Sequence, residues 1–444
     1  FWSQNLNFKD TAPPYRREIW GWAFYDFANS AYSTALAGVI FSVYFVQDVV
    51  GEEGLTLFGS RITGPAVWGY SVSLSMLLVA VSAPVLGAVA DYRASKKRFL
   101  FYFCYGGVLA TAFLFLARPG EIWLAVIFYI LSNMGLESSM AFYNGFLPEI
   151  ASREHMGRIS GFGWALGYVG GVSCLVLNLA MIERPNWFGL PATDYIPVRA
   201  SLVVVAAWWG LFSIPTFLWL RERARAQELP PGAGYLRVGF QRLALTFRKI
   251  NQFRELVKFL VAFLIYNDGV QTVIVMAAVF GADVLGMSKQ ELIPCFILTN
   301  SVAFVGALLF GYLGDRMSTK SAIHITLCIW SVAVLYVVVI NEIWQFWLLA
   351  VIVGSVLGGI QASSRALLAQ FTPPENSAEF FGFFATSGKF ASIFGPAFFA
   401  TVTDLTGTAR WGVVSVLIFF IIGWAILSTV DEKKGIAEAQ YAVK

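Results

Sequence analysis

Charged side chains are scarce in this chain of 444 residues. Asp, Glu, Lys and Arg make up 13% of it, about half of the share that is usual in soluble globular proteins. Hydrophobic residues account for 57%, and the mean hydropathy is +0.67. This composition excludes an ordinary soluble domain and predicts an all-α integral membrane protein. The net charge is only +4, and the basic residues lie between apolar runs, so we do not expect the chain to bind nucleic acid.

Cysteine and histidine are also scarce. The two histidines, His155 and His324, are far apart, so they do not predict a metal site. The four cysteines stand in separate apolar segments without paired or metal-ligand spacing, and we interpret them as free buried thiols: Cys104, Cys174, Cys295 and Cys328. No nucleotide-binding loop and no nucleophile with an adjacent base stands out, so we expect neither an enzyme nor a bound cofactor. Any driving force for transport would then be an ion or solute gradient.

The chain contains many long apolar runs. A membrane-spanning helix needs about 20 apolar residues. By that rule the sequence predicts twelve spans, at 20–47, 64–90, 98–117, 121–146, 158–182, 199–220, 255–281, 290–313, 320–340, 343–369, 380–403 and 410–430.

Lysine and arginine set the predicted orientation, because they are enriched in cytoplasmic loops. With the N-terminus inside, 23 basic residues fall on the inner side and 6 on the outer side. Both termini are therefore expected in the cytoplasm. The predicted organisation is an N-terminal segment 1–19, a six-helix bundle 20–220, a cytoplasmic linker 221–254, a second bundle 255–430 and a tail 431–444.

Two pairs of segments suggest that the two halves are duplicates, and a third pair is weaker. The segment GAVADYRASKK at Gly87 resembles GYLGDRMSTKS at Gly311, with an offset of 224. A second pair, SSMAFYNGFLP and SSRALLAQFTP, shares serines and proline at an offset of 225. The third pair, FYDFANS at Phe24 and IYNDGVQ at Ile265, is weaker, and chance similarity between apolar helices explains it equally well.

The Gly87 and Gly311 segments lie between the second and third spans and between the eighth and ninth. Glycine allows helix ends to approach closely, an aspartate near the N-terminus of the next helix complements that helix's dipole, and the following cations can pair with acids or lipid phosphate. A glycine, an aspartate and a basic cluster repeated at these places resemble the loop signature of the major facilitator superfamily. The corresponding gate residues are Gly87, Asp91, Arg93, Lys97, Gly311, Asp315 and Arg316.

Two further segments narrow the resemblance. WGWAFYDFANSAY in the first span, with FYNGFLPEIASREHMGRISGFGWALGYVGG at 142–171, resembles the vacuole-effluxer-like, autophagy-related permease branch of that superfamily. The resemblance extends over the whole chain. It implies two six-helix bundles, alternating access, a monomer and, from the fungal vacuolar members, export of neutral amino acids. The compact loops favour a bacterial inner membrane over an organellar one.

Five ionisable residues lie inside predicted spans, where a lone charge costs at least about 2.5 kcal/mol. They are Asp26, Glu137, Asp268, Arg365 and Lys389, on the first, fourth, seventh, tenth and eleventh spans. The superfamily resemblance implies that four of these spans, all but the eleventh, line a central cavity. We therefore expect these charges to face each other or water.

Their chemistry suits a zwitterionic solute such as an amino acid. Arg365 and Lys389 are candidates to hold a substrate carboxylate, and Asp26 or Asp268 to receive an ammonium group. Glu137 is the first candidate for proton coupling, because no lysine or arginine lies within several turns on its own helix. Further hydrogen-bonding candidates are Asn29, Tyr32, Asn133, Asn144, Asn267, Gln271, Asn300 and Gln361.

Structural roles are the alternative at each position. Asp26 can pair with a neighbouring helix, the cations can extend towards a cytoplasmic end, and the amides can join helices. These residues are consistent with two functions of different classes. The first is a secondary transporter of a small polar or zwitterionic solute, coupled to protons. The second is a membrane receptor or scaffold that keeps the carrier fold without turnover, against which the paired gate loops and buried charges argue.

Overall fold

The fold consists of long helices joined by short loops. The computed structural model describes residues 15–57, 59–224, 235, 238–241, 244 and 250–441. The N-terminal half contains α1 (Tyr15–Ala31, continued by Tyr32–Ile40, Phe41–Tyr44 and Phe45–Val50), α2 (Gly64–Arg93), α3 (Lys96–Phe113), α4 (Ile122–Asn144), α5 (Met156–Glu183) and α6 (Ile196–Phe212, continued by Ile214–Trp219). The C-terminal half contains α7 (Arg254–Leu285), α8 (Lys289–Arg316), α9 (Thr319–Tyr336), α10 (Ile343–Phe371), α11 (Ser377–Thr406) and α12 (Ala409–Ser415 and Leu417–Ser428), followed by α13 (Glu432–Tyr441).

The order of these helices matches the twelve predicted spans. Eleven helical segments of the described chain are long and apolar enough to cross a membrane, and α11 occupies the position of the remaining predicted span. Large apolar side chains such as Tyr102 and Leu218 are each 71% exposed, as expected for helices that contact acyl chains. The predicted linker 221–254 lies mostly outside the described residues.

Three local features differ from the prediction. The outer part of α1 has wide π-helical turns at Tyr32–Ile40 and Phe45–Val50. The first outer loop contains a small antiparallel hairpin of β1 (Leu55–Leu57) and β2 (Ser60–Ile62). All four cysteines are free, but the prediction that all are buried is wrong for Cys328, whose side chain is exposed on α9.

The duplication is visible in matching hydrogen bonds. Tyr25 on α1 donates its hydroxyl to Ser139 on α4, with 2.7 Å between the oxygens. Tyr266 on α7 is bonded to Ser364 on α10 at the same distance. These residues align at offsets of 241 and 225, so the weak third sequence match reflects a true structural correspondence.

Matching bonds also join helices at the basic side of each half. Glu222, after α6, accepts the backbone N–H groups of Lys96 and Lys97 at the start of α3. Glu432, after α12, accepts those of Thr319 and Lys320 at the start of α9. Each half therefore closes its third helix onto its sixth in the same way.

The two halves meet towards one side of the membrane. Most of the hydrogen bonds that join the halves in the described part of the chain lie towards the ends of the helices that carry the basic loops, while the bond from Thr386 to the Ala80 carbonyl lies nearer the middle of α2. Glycines permit this close contact: a Cβ on Gly157 would lie 2.5 Å from the Gly311 carbonyl, and one on Gly161 would lie 2.3 Å from the Ala307 carbonyl. The side predicted to be cytoplasmic is thus the closed side.

Candidate functional site

A buried ion pair joins the two halves. Arg365 on α10 donates from Nη1 to Oδ2 of Asp26 on α1 over 2.8 Å. The two residues are only 2% and 4% exposed. The sequence predicted Asp26 and Arg365 as separate substrate ligands. In this conformation they bind each other.

Three helices of the N-terminal half supply acceptors to this one guanidinium. Besides Asp26, Asn144 on α4 accepts from Nη1 at 3.3 Å through its side-chain oxygen. Ser160 on α5 accepts twice, from Nε through its hydroxyl at 3.0 Å and from Nη2 through its carbonyl at 2.6 Å. A guanidinium has five N–H groups, so these four acceptors, all in the described part of the chain, leave one N–H group without a hydrogen bond there.

Aromatic rings surround the same guanidinium. Its carbon lies 4.7 Å from the ring centroid of Trp22, 5.4 Å from that of Trp164 and 5.9 Å from that of Tyr143. These distances are in the range of cation–π attraction. Gly163 leaves the room that the pair needs, since a Cβ there would lie 2.5 Å from Oδ2 of Asp26 and 2.8 Å from Nη2 of Arg365.

Other predicted polar residues lie outward of this pair. Asn29 donates to the Tyr25 carbonyl on its own helix at 2.7 Å, and the Tyr32 hydroxyl is 2.8 Å from that of Ser132 on α4. Glu137 is half-buried on α4. It is one of the groups that act electrostatically on the Tyr32 hydroxyl.

The C-terminal half contributes an amide pair and a carboxylate. Gln361 on α10 donates to the side-chain oxygen of Asn267 on α7 at 3.1 Å. Asp268 is 2% exposed and accepts the backbone N–H of Gly395 on α11 at 2.9 Å, so it is separated from the Asp26 pair. The side chain of Lys389 lies outside the described residues.

The first gate segment binds the start of α11. Oδ1 and Oδ2 of Asp91 accept the backbone N–H groups of Ala378 and Glu379 at 3.2 and 3.0 Å. A Cβ on Gly87 would lie 2.5 Å from the Ala378 carbonyl. The buried cation of this loop is Lys96, which pairs with Glu149 and lies 3.8 Å from Asp91.

The two predicted cations of this loop are placed differently. Lys97 donates to the Leu220 carbonyl at 2.7 Å, within the same half. The guanidinium of Arg93 lies 4.8 Å from the ring centroid of Tyr235.

The second gate segment repeats the contact on the start of α5. Asp315 accepts the backbone N–H groups of Gly157 and Arg158 at 2.8 and 3.1 Å. The Arg158 side chain adds an ion pair to Asp315 at 3.1 Å. Arg316 instead lies over the ring of Tyr312, 5.0 Å from its centroid. Asp91 and Asp315 therefore each bind the N-terminus of a helix in the opposite half. The prediction that each acts on the next helix in the sequence is wrong for these hydrogen bonds, because the halves pack closely enough here to bring the opposite helix within reach.

Sequence reasoning missed Ser160, Trp22 and Lys96. A serine or tryptophan in an apolar helix carries no signal of its own. The available signal was the glycine series of α5, which includes Gly157, Gly161 and Gly163 and marks a face that neighbouring helices approach closely.

Comparison with known proteins connects this arrangement to transporters. Residues 15–440 match the family described as vacuole effluxer Atg22 like. The chain is 34% identical over 413 residues to the uncharacterized MFS-type transporter YxiO of Bacillus subtilis (strain 168), covering 93% of this chain and 94% of that protein. It is 24% identical over 484 residues to autophagy-related protein 22-1 of Penicillium rubens, covering 89% of this chain and 80% of that protein.

Solved structures agree with these relatives on the fold. The human organic anion transporter MFSD10 has a TM-score of 0.72 at 13% identity and covers 94% of this chain and 100% of its own. FucP, a major facilitator superfamily transporter in the outward conformation, has a TM-score of 0.69 at 13% identity and covers 95% of this chain and 99% of its own. At these identities the likeness concerns the fold alone.

Proposed function

Because this chain belongs to the Atg22-like vacuole effluxer family of the major facilitator superfamily, it is a secondary transporter, and we propose that its solute is zwitterionic and amino-acid-like. The observation that carries the proposal is the Asp26–Arg365 pair, which sets opposite charges on the two halves at one depth. The bundles 20–220 and 255–430 are the two parts that move. Both termini lie in the cytoplasm, and a bacterial inner membrane suits the compact loops. The transporter works as a monomer.

The proposed solute layer lies directly outward of that pair. At a rise of about 1.5 Å per residue, Gln361 is about 6 Å outward of Arg365, and Glu137 is about 10 Å outward of Asn144. Gln361 and Glu137 are half-buried, whereas the pair below them is buried. The pair then forms the floor of the site, with Tyr32, Asn29 and the Asn267 amide around it.

The Asp26–Arg365 pair that forms the floor has one hydrogen-bond donor and one acceptor available for a solute. Within the described residues, one N–H group of Arg365 forms no hydrogen bond, and Asp26 accepts from Arg365 through Oδ2, so its Oδ1 is the second acceptor; the buried Tyr143 hydroxyl lies beside both groups. A solute with a carboxylate and an ammonium group complements both. Asp268 and Lys389 are the second candidates for these two roles, on α7 and α11.

Glu137 is the proposed proton carrier. It lies in a membrane-spanning helix and is half-buried at the level of the proposed solute layer, where an ionisable side chain is a candidate for a functional role. Proton movement down its electrochemical gradient then drives the solute.

The test is solute-dependent proton movement in liposomes. Purified protein is reconstituted with a pH-sensitive dye inside, and neutral, acidic and basic amino acids are added in turn. We expect neutral amino acids to change the internal pH with the wild type and with Glu121→Gln, which removes a carboxylate at the outer end of α4. We expect no change with Glu137→Gln. An unchanged pH with every amino acid in the folded wild type would contradict the proposal.

A further inference from the structure

The guanidinium of Arg365 lies in a pocket, here called the socket, whose hydrogen-bond acceptors all belong to the opposite half. Its four acceptor atoms belong to Asp26 on α1, Asn144 on α4 and Ser160 on α5. Ser160 in turn donates its hydroxyl to the carbonyl of Ala362 on α10, at 2.7 Å. Within the described residues, this is the densest set of side-chain bonds between the halves inside the membrane.

Rigid aromatic neighbours fix the shape of the socket. Trp22 stacks on Tyr143 with ring centroids 4.7 Å apart, and its indole N–H donates to the Tyr143 carbonyl at 3.0 Å. The guanidinium of Arg365 lies over both rings. The socket is therefore held by the N-terminal half itself and positions Arg365 when that residue enters.

The duplicated half lacks this arrangement. With the offsets that align Ser139 with Ser364 and Tyr25 with Tyr266, Arg365 corresponds to Met140 and Asp26 corresponds to Asn267. The fold of a half therefore does not require a cation or a carboxylate at these positions. In this chain the cation and the carboxylate form one pair that joins the two halves. This points to a role in the contact between the halves.

We propose that Arg365 in its socket is the interlock that holds the cytoplasmic side closed, and that its withdrawal is required for that side to open. When the halves separate there, Arg365 moves with α10 while Asp26, Asn144 and Ser160 stay with the N-terminal half. All four hydrogen bonds and the three ring contacts are lost together. The contacts of Asp91 and Asp315 lie nearer the surface and close the same side separately.

This inference rests on the proposed alternating-access function, but its test needs no solute. Spin labels on cysteines at Glu154 and Met317 report the distance between the halves on the closed side. Labels at Trp187 and Leu405, which are 76% and 81% exposed, report the opposite side. The background replaces Cys328, the exposed native thiol, with serine. Distances are measured by pulsed electron resonance in lipid nanodiscs.

Loss of the pair should reverse the distribution. For Arg365→Gln and Asp26→Asn we expect the 154–317 distances to shift to longer values and the 187–405 distances to shorter ones. Arg410→Gln is the matched control, because the groups to which Arg410 donates in the described part of the chain belong to its own half: the carbonyls of Val337, Val338 and Ile340 and the side chain of Asn341. It should leave both distributions at their wild-type positions.

A second variant tests the socket without changing a charge. Gly163→Ala places a methyl group against both members of the pair and should produce the same shift, whereas Gly106→Ala, where a Cβ meets nothing within 4 Å, should not. Wild-type distances in folded Arg365→Gln and Gly163→Ala would overturn the interlock. A shift without transport in the liposome test would leave the interlock standing and refute the proposed function.

Discussion

Asp26 and Arg365 are stable in the membrane because each is the other's counter-ion. Taking two charges out of water is costly, and a pair at 2.8 Å with further hydrogen bonds offsets much of that cost. A single charge left behind has no such compensation. The stability of these two residues is therefore strongly coupled.

A double-variant comparison tests this coupling. Asp26→Asn or Arg365→Met alone should destabilise the protein by about 3 to 5 kcal/mol, because each leaves one buried charge unpaired. The double variant introduces the residue types of Asn267 and Met140 and should be more stable than either single variant. Thermal unfolding in detergent, followed by tryptophan fluorescence, measures all four proteins. Additive losses would contradict direct coupling.

Gly163 makes a separate prediction at the same scale. A methyl group there would be closer to Asp26 and Arg365 than real Cβ atoms come to their neighbours, so Gly163→Ala should cost about 1 to 3 kcal/mol. Gly106→Ala on α3 has open space and should cost little. The melting temperatures of the two variants test this prediction. Equal values would show that the Asp26–Arg365 pair does not need the space at Gly163.

At the scale of the helices, two aspartates stabilise helix N-termini. Asp91 and Asp315 each satisfy two backbone N–H groups at the start of a helix in the opposite half, where a carboxylate also complements the helix dipole. We expect Asp91→Asn and Asp315→Asn each to lower stability by about 1 kcal/mol, the usual effect of losing a cap.

The two substitutions should act alike because the contacts are duplicates. Asp404→Asn, at an exposed position near the end of α11, serves as the control and should leave the melting temperature unchanged. Thermal unfolding of the three variants measures the effect. If the Asp91 and Asp315 variants are as stable as the control, these caps do not contribute to the stability of the protein.

The elements also show what sequence can and cannot predict. Apolar runs located the spans because the membrane imposes their length. The repeated aspartates marked the two loops, but not their partners, which are helices of the opposite half and not the next helices in the sequence. The socket on α5 was not predictable, since the Ser160 hydroxyl and carbonyl act only once α10 lies against them. Lys96 was overlooked in favour of Lys97 for the same reason: loop sequence does not fix which cation is buried.

At the scale of the whole molecule, two similar halves meet along the predicted cytoplasmic side. The matching bonds of Tyr25 and Tyr266 show that the halves share internal packing. The contacts of Arg365 are not duplicated, and this asymmetry places one charged interlock below the proposed solute layer. Similar segments in the sequence predicted the repeat, but only the structure shows which charges cross between its copies.

Solute counterflow tests the central claim, alternating-access transport, most directly. Liposomes are loaded with an unlabelled neutral amino acid and diluted into a trace of the labelled compound, so exchange needs no ion gradient. The account predicts that wild-type protein accumulates label transiently above equilibrium, while protein-free liposomes do not. Binding of the label without accumulation would contradict transport and identify the chain as a receptor with a carrier fold.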